Sequence, residues 1–129
     1  MQPPNDMANM YDSISSLHAI EHFGLGRYGD SIEYFGYLKA IENITKMLKI
    51  GGKLYFSVPI GKQRIEFNAQ RVFSVKYLLN LFNDTFILKS FSFVNENGDF
   101  FENVELNQNN IDTNFGCNCG CGIFEFVKK

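Results

Sequence analysis

Apolar residues recur at intervals of three and four in residues 34–49, with polar residues between them. The apolar positions are Tyr34, Leu38, Ile41, Ile44 and Leu48, and the polar positions opposite them are Lys39, Glu42, Asn43 and Lys46. This spacing is that of an α-helix with one buried face. Asp30 and Glu33 form a variant of a capping box before it, and Gly51-Gly52 supply a left-handed stop after Lys49. The pattern therefore predicts a helix over about residues 34–49.

Short apolar runs on both sides of this helix predict two strands. Residues 10–17 read MYDSISSL, and residues 53–58 read KLYFSV and are closed by Pro59. Aromatic and β-branched residues between chain breakers are typical of strands. Because strands joined by a crossover helix pair in parallel with a right-handed connection, we expect these two strands to be parallel neighbours.

The rest of the chain predicts one more helix and two more strands. Residues 59–71 predict a polar loop, after which Ser74 is expected to cap a helix. That helix places Val75, Leu78, Leu79 and Phe82 on one side. Residues 86–94 and 122–127 predict strands. Between them, residues 95–116 are rich in Asn and aperiodic, and they exceed the roughly 12–15 residues of an ordinary loop, which predicts a mobile segment.

Composition indicates one domain, residues 1–129, with an aromatic core: 45% of the residues are hydrophobic and 14 are Phe. The net charge is −2 and no basic stripe gathers on one element, which argues against nucleic acid as a partner. The apolar runs are shorter than the roughly 20 residues of a membrane-spanning helix. The first ten residues are polar and lack the apolar run of a signal peptide. We therefore expect a cytoplasmic protein that does not act in a membrane.

All three cysteines lie within five positions, at Cys117, Cys119 and Cys121. An odd number at this spacing does not fit a secreted disulfide framework. A closed zinc site needs four ligands, and no second cysteine pair completes one. The pattern favours free thiols in a glycine-rich turn over a metal knuckle, so no metal site is predicted.

Both histidines of the chain stand in the cluster His18-x-x-Glu21-His22. This spacing fits the H-x-x-E-H pattern of inverted zincins, in which a helix carries two zinc-binding histidines and a glutamate base. Gly24 and Gly26 would end such a helix within one turn. A structural alternative is that Glu21 and His22 cap the following turn and hydrogen-bond to each other.

Two segments resemble class I S-adenosylmethionine-dependent methyltransferases. YDSISSLHAIEH is similar to the family's fourth strand, and LKIGGKLYFSVP is similar to its glycine turn and fifth strand, with Ile50 where proline is usual. Together with HFGLGRYGD and QRIEFN, these segments resemble the narrower family called domain of unknown function 268. The resemblance implies a partial Rossmann-like α/β fold, with parallel strands, a crossover helix and a C-terminal antiparallel strand pair.

The resemblance also implies site residues. Leu17 and His18 would bind the cofactor, S-adenosylmethionine, at the carboxyl end of the first strand. His18, Glu21 and His22 are the catalytic candidates, with His18 as base toward a small-molecule acceptor. Some relatives bind a metal through E-x-x-E-H, but His18 replaces the first glutamate. Three charged residues, Arg64, Glu66 and Arg71, either contact the acceptor or belong to a solvated loop.

The glycine-rich turn and the ribose-binding acid of the family belong to strands that precede the matching segments. The resemblance therefore implies weak or no cofactor binding by this chain alone, and no activity alone. An unpaired edge at residues 11–17 predicts self-association or pairing with a separately encoded N-terminal half. The alternative is a non-catalytic interaction module that keeps the scaffold.

Overall fold

The computed structural model describes residues 8–22, 36–66 and 70–129. Strand β1, Tyr11–Leu17, is followed by helix α1, Gly36–Met47, and strand β2, Leu48–Ile60. β1 and β2 pair in parallel, with Ser13 opposite Lys53 and Leu17 opposite Ser57. The predicted parallel pair with its crossover helix is confirmed. The predicted capping residues Asp30 and Glu33 lie outside the described residues.

The junction between α1 and β2 differs from its prediction. The helix ends at Met47 and the strand begins at Leu48, so Lys49 belongs to the strand. Gly51 has a φ of +81°, and the pairing with β1 shifts register between Tyr11 and Ser13. Positive φ is accessible to glycine at little cost, and an irregular strand pair accommodates extra residues in this way. The glycine pair therefore forms an irregularity inside β2 instead of a stop after the helix.

The segment predicted as a polar loop after β2 contains a small hairpin. Strands β3, Arg64–Glu66, and β4, Gln70–Val72, pair antiparallel as a separate two-stranded sheet. Helix α2, Val75–Phe82, follows, and the Tyr77 backbone N–H donates to the Ser74 side-chain oxygen at 3.1 Å. The predicted Ser74 cap is confirmed.

The C-terminal third completes the sheet. Strand β5, Phe86–Val94, pairs antiparallel with the last strand, β7, Gly120–Lys128, and with the short strand β6, Phe100–Phe101. The five-stranded sheet has the order β1-β2-β7-β5-β6, and β7 is antiparallel to β2. The C-terminal antiparallel pair is therefore confirmed within a mixed α/β fold.

The Asn-rich segment, residues 95–116, was predicted as a long aperiodic loop, but it contains regular elements. It contains β6, helix α3, Gln108–Asp112, and a 3-10 turn, Asn114–Gly116. Its asparagines hold it locally: the Asn95 side-chain oxygen accepts the backbone N–H groups of Asn97 and Asp99, and Asn107 caps α3. Asparagine makes such turns and caps readily. Hydrophobic periodicity cannot reveal them, because they depend on side-chain to backbone bonds.

One face of the large sheet carries a phenylalanine core. Five of its rings are fully buried: Phe56, Phe82, Phe91, Phe124 and Phe126. Phe82 brings α2 onto this face, with its ring 4.6 Å from that of Phe126 and 5.1 Å from that of Phe56. On the opposite face Leu17, Tyr55 and Ile87 are exposed, whereas Ser57 and Ser92 are buried. No helix in the described residues is long and apolar enough to cross a membrane.

Candidate functional site

Three strand ends meet along one side of the large sheet, the His18 edge, which is distinct from the outer side of strand β1. β1 ends at Leu17 and β2 ends at Ile60, while β7 runs in the opposite direction and begins there at Gly120. Leu17 lies opposite Ser57, and Cys121 lies opposite Pro59, so the first and last strands place residues at the same edge. In α/β sheets, the carboxyl ends of parallel strands are the usual ligand-binding edge.

His18 turns the chain at the end of β1. Its backbone N–H donates to the carbonyl oxygen of Ser57 at 2.9 Å, which extends the β1–β2 ladder by one residue. Its φ is +51°, a left-handed conformation that costs a non-glycine residue about 1–3 kcal/mol. The 3-10 helix Ile20–His22 follows, and Ile20 anchors it because its side chain is fully buried. The strand end and this anchored turn together fix the position of the His18 ring.

Both ring nitrogens of His18 are within hydrogen-bond distance of a partner. Nδ1 lies 3.2 Å from Oε2 of Glu21, and Nε2 lies 3.0 Å from Sγ of Cys121. A carboxylate can only accept, so the neutral ring donates from Nδ1 and accepts a hydrogen bond from the thiol at Nε2. The Glu21 side chain is 1% exposed and that of His18 is 47% exposed. Glu21, His18 and Cys121 thus form a chain of hydrogen bonds, the Glu–His–Cys relay, that runs from the interior toward solvent.

The surroundings keep the thiols of this edge protonated. Burial, and then the negative charge of Glu21, raise the pKa of Cys121 above its ordinary value. Burial also raises the pKa of Cys117 to about 11, with Glu96 and Cys119 adding to the shift. The pKa of Cys119 is raised by its burial and then by Glu66. None of the three cysteines is in a disulfide bond.

The structure brings together only part of the predicted site. His18 and Glu21 meet, and Leu17 lies beside them with its side chain 60% exposed. The backbone of His22 closes the 3-10 helix, but its side chain lies outside the described residues. The suggested Glu21–His22 hydrogen bond therefore stays a prediction.

Sequence reasoning missed Cys121, which is 103 residues from His18 in the chain. A local motif cannot show such a contact. The available signal was topological, because a cysteine at the start of an antiparallel last strand lies at the same edge as the end of β1.

The inverted-zincin alternative does not fit the backbone. That site needs both histidines on one helix, whereas β1 runs to Leu17 and His18 has a left-handed conformation outside the 3-10 helix. In residues 8–22, 36–66 and 70–129, no group of three or more His, Cys, Asp or Glu side chains is placed to hold a metal ion.

The charged residues after β2 are ordered on the hairpin. Arg71 is 3% exposed, and its guanidinium carbon lies 4.7 Å from the centre of the Tyr37 ring. The pKa of Arg71 is lowered by burial, and that of Tyr37 is raised by burial and by its hydroxyl contact with Tyr77. Arg64 and Glu66 bond to each other, at 3.2 Å. The solvated-loop expectation is wrong for Arg71, which packs in the interior beside a ring face.

Comparison with known proteins gives one family and several similar folds. A family model described as Caenorhabditis protein of unknown function, DUF268, matches residues 2–116. No curated protein matches the chain. The crystal structure of the [4+2]-cyclase SpnF is similar, with a TM-score of 0.61 and 14% identity over 94% of this chain and 52% of that one. The MccD protein is similar at a TM-score of 0.60 and 11% identity, over 95% of this chain and 62% of that one.

A third solved structure is assigned as an S-adenosylmethionine-dependent methyltransferase from Listeria monocytogenes. Its TM-score is 0.46 at 11% identity, over 95% of this chain and 63% of that one, which is too distant to support a shared fold by itself. This chain thus spans about half to three fifths of the length of the structures it matches. At these identities, the first two likenesses show the fold.

Proposed function

Because this chain belongs to the DUF268 family and has a methyltransferase-like fold, we propose that it is the C-terminal half of an S-adenosylmethionine-dependent methyltransferase site. The observation that carries the proposal is the position of His18, with its half-exposed ring at the carboxyl end of β1. That edge is where ligands bind in sheets of this class. Leu17 and His18 would form one wall of the donor site.

The residues present fit one part of the cofactor. The exposed Leu17 side chain offers apolar contact beside a polar ring, which suits a methionine chain with its charged end groups. The glycine-rich turn and ribose-binding acid that the family resemblance implies are not among the described residues. When bound, S-adenosylmethionine supplies an electrophilic methyl group.

Most of the work of methyl transfer is alignment, which can supply effective molarities of about 10⁵–10⁸ M. His18 adds a base: with Nδ1 held by Glu21, its Nε2 is the accepting ring atom, and a hydroxyl or amine acceptor that displaces the Cys121 thiol there would give it a proton. Glu21 fixes the ring orientation and favours the positive charge that the ring acquires. His22 remains the third catalytic candidate, since it immediately follows Glu21.

The N-terminal half of the fold would complete the site by joining the free side of β1. Among the described residues, β1 pairs with β2 on one side only. Leu17, Tyr55 and Ile87 are exposed on the sheet face opposite the phenylalanine core. In a full Rossmann-like sheet, further parallel strands and their helices cover such an edge and face. The complementing half can come from another chain, or a second copy can occupy the edge.

The same exposed face supports a second candidate, a non-catalytic interaction module. An exposed apolar face attached to an open strand edge is a common protein-binding surface. The two candidates differ in whether the His18 edge recognises the donor, so ligand binding separates them.

We would titrate the ¹⁵N-labelled chain with S-adenosylhomocysteine, the product form of the donor, and follow backbone amide shifts. We expect shifts centred on Leu17 and His18, with an affinity weaker than low micromolar, or less than about 8 kcal/mol, because only one wall is present. His18→Ala should reduce them, whereas Ser15→Ala, which lies two residues before Leu17 on the same face of β1, should not.

Two results would refute the donor-site proposal. The first is no shift at millimolar ligand, and the second is a set of shifts away from the β1 carboxyl end. Low-micromolar binding by this chain alone would contradict the inference that the pocket needs a second half.

A further inference from the structure

The Glu–His–Cys relay has the connectivity of a nucleophile, its base and a group that orients the base. The thiol of Cys121 contacts Nε2 of His18 at 3.0 Å, and Nδ1 contacts the buried carboxylate of Glu21 at 3.2 Å. This arrangement activates cysteine and serine nucleophiles on unrelated folds, and it is recognised by geometry rather than by chain order. The base role proposed for His18 in methyl transfer does not require the thiol. Cys121 therefore has no role in the function proposed above.

The backbone around Cys121 fixes this geometry. Gly120 and Gly122 flank it on β7, and neither position has room for a side chain. A Cβ on Gly122 would come within 2.6 Å of Ile60, and a Cβ on Gly120 within 2.6 Å of the Cys117 sulfur. Cys121 is thus held on a tightly packed central strand, between β2 and β5. Reactive groups on such rigid elements are placed more accurately than groups on loops.

A reactant can approach the relay from solvent. The His18 side chain is 47% exposed and Cys121 is half-buried. The exposed Leu17 side chain adds apolar surface next to the ring.

We propose that Cys121 is a nucleophile that accepts an acyl group from an ester or thioester, with His18 as its base and Glu21 as a positioning residue. The Cys121 sulfur forms a bond to the acyl carbon as the thiol proton passes to Nε2 of His18. The bond from the acyl carbon to the alcohol or thiol leaving group then breaks, and His18 returns the proton to that group. Water, activated by the same ring, can release the acyl group as a carboxylic acid.

The protonation state of the thiol favours general-base attack over a preformed thiolate. Burial and the Glu21 carboxylate raise the pKa of Cys121, so the resting sulfur carries its proton. Esters and thioesters suit general-base attack by a protonated thiol, because their leaving groups need less protonation to depart than the amine of an amide does.

The neighbouring cysteines provide matched controls. Cys119 lies two residues away, and its sulfur accepts from the side-chain amide nitrogen of Gln70 at 3.9 Å rather than from an imidazole. Cys117 is buried, and its sulfur lies 4.0 Å from the carbonyl oxygen of Phe115.

The test uses p-nitrophenyl acetate as the acyl donor and the purified chain at neutral pH. We expect a burst of one p-nitrophenolate per chain and an acetyl group on Cys121 by peptide mass spectrometry. His18→Ala should slow acylation about 10²–10⁴-fold, the usual contribution of a positioned base. Cys119→Ser should leave the rate unchanged, and circular dichroism would verify that each variant is folded.

Glu21→Gln separates positioning from a purely structural role. Glu21 faces Nδ1 of the ring that acts as base, so removing its negative charge should change the pH dependence of acylation, and loss of ring orientation should lower the maximal rate. Equal acetylation of Cys119 and Cys121, or a His18→Ala variant that is as fast as the unmodified chain, would overturn the proposal. An unmoved pH profile in a folded Glu21→Gln variant would remove the role given to Glu21.

Discussion

The sulfur of Cys121 lies 3.0 Å from Nε2 of His18, although the two residues are 103 positions apart in the chain. The contact follows from topology. β1 and β2 run in parallel, β7 inserts antiparallel beside β2, and the end of the first strand therefore meets the start of the last. Both the donor-site proposal and the acyl-acceptor proposal depend on this one edge, and His18 is the residue they share.

The phenylalanine core is the first test of the fold. Phe124 is fully buried and its ring lies 4.8 Å from that of Phe91 and 5.6 Å from that of Phe126. We expect Phe124→Ala to lower the free energy of unfolding by about 3–5 kcal/mol, because it removes buried contacts and leaves a cavity. Urea unfolding of the variant would measure this loss.

Phe100→Ala is the matched control, because that ring is 57% exposed on β6. It should change stability by no more than about 0.5 kcal/mol. Similar losses for both variants would contradict the assignment of Phe124 to the core and of Phe100 to the surface.

A pH-dependent contact is predicted in the turn before β7. The Glu96 carboxylate accepts the backbone N–H groups of Cys119 and Asn118, and the bond from Cys119 is the largest cause of its lowered pKa. A carboxyl with a lowered folded-state pKa stabilises the fold above the unfolded value of 4.5 and loses that contribution as pH falls through the folded value.

We therefore expect Glu96→Gln to melt at a lower temperature than the unmodified chain at pH 7, with the difference shrinking as the pH falls below about 4.5. Thermal unfolding of both chains across this range would measure it. A difference that stays constant down to pH 3 would show that the Glu96 charge is not held by these amides.

Much of the scaffold could be predicted because its signals are local. The 3.6-residue period before Met47 and the run KLYFSV led to the parallel β1–β2 pair. The end of the helix was placed too late because Gly51-Gly52 was interpreted as a helix stop. Glycine serves equally as a helix stop and as an irregularity inside a strand. Which use applies depends on whether a neighbouring strand pairs with the segment, and in this chain β1 does.

The site was predictable only in part. Leu17, His18 and Glu21 form one continuous segment, so a motif could identify them. The hydrogen bond from Cys121 depends on strand order across the whole sheet, and the buried Arg71 beside Tyr37 depends on a hairpin within a polar stretch. Neither contact leaves a periodic pattern in the sequence.

Among residues 8–22, 36–66 and 70–129, no strand pairs with the outer side of β1, and we predict that the isolated chain self-associates through this strand. Unpaired strand edges pair with other chains, and a lysine on the edge strand opposes such pairing. We expect sedimentation velocity to show dimers or larger species that increase with concentration, and Ser13→Lys on β1 to reduce them. Asn80→Lys on the exposed side of α2 adds the same charge and should have no effect. A concentration-independent monomer would favour an edge that is already covered.

The tautomer of His18 tests the shared geometry most directly. Long-range ¹H–¹⁵N NMR of the imidazole rings needs only two assignments, because the chain has two histidines. Since the Glu21 carboxylate accepts from Nδ1 and the Cys121 thiol donates to Nε2, we predict that the neutral His18 ring carries its proton on Nδ1, and that Glu21→Gln weakens this preference. A neutral ring protonated on Nε2 and insensitive to Glu21→Gln would contradict the relay and, with it, the base role of His18.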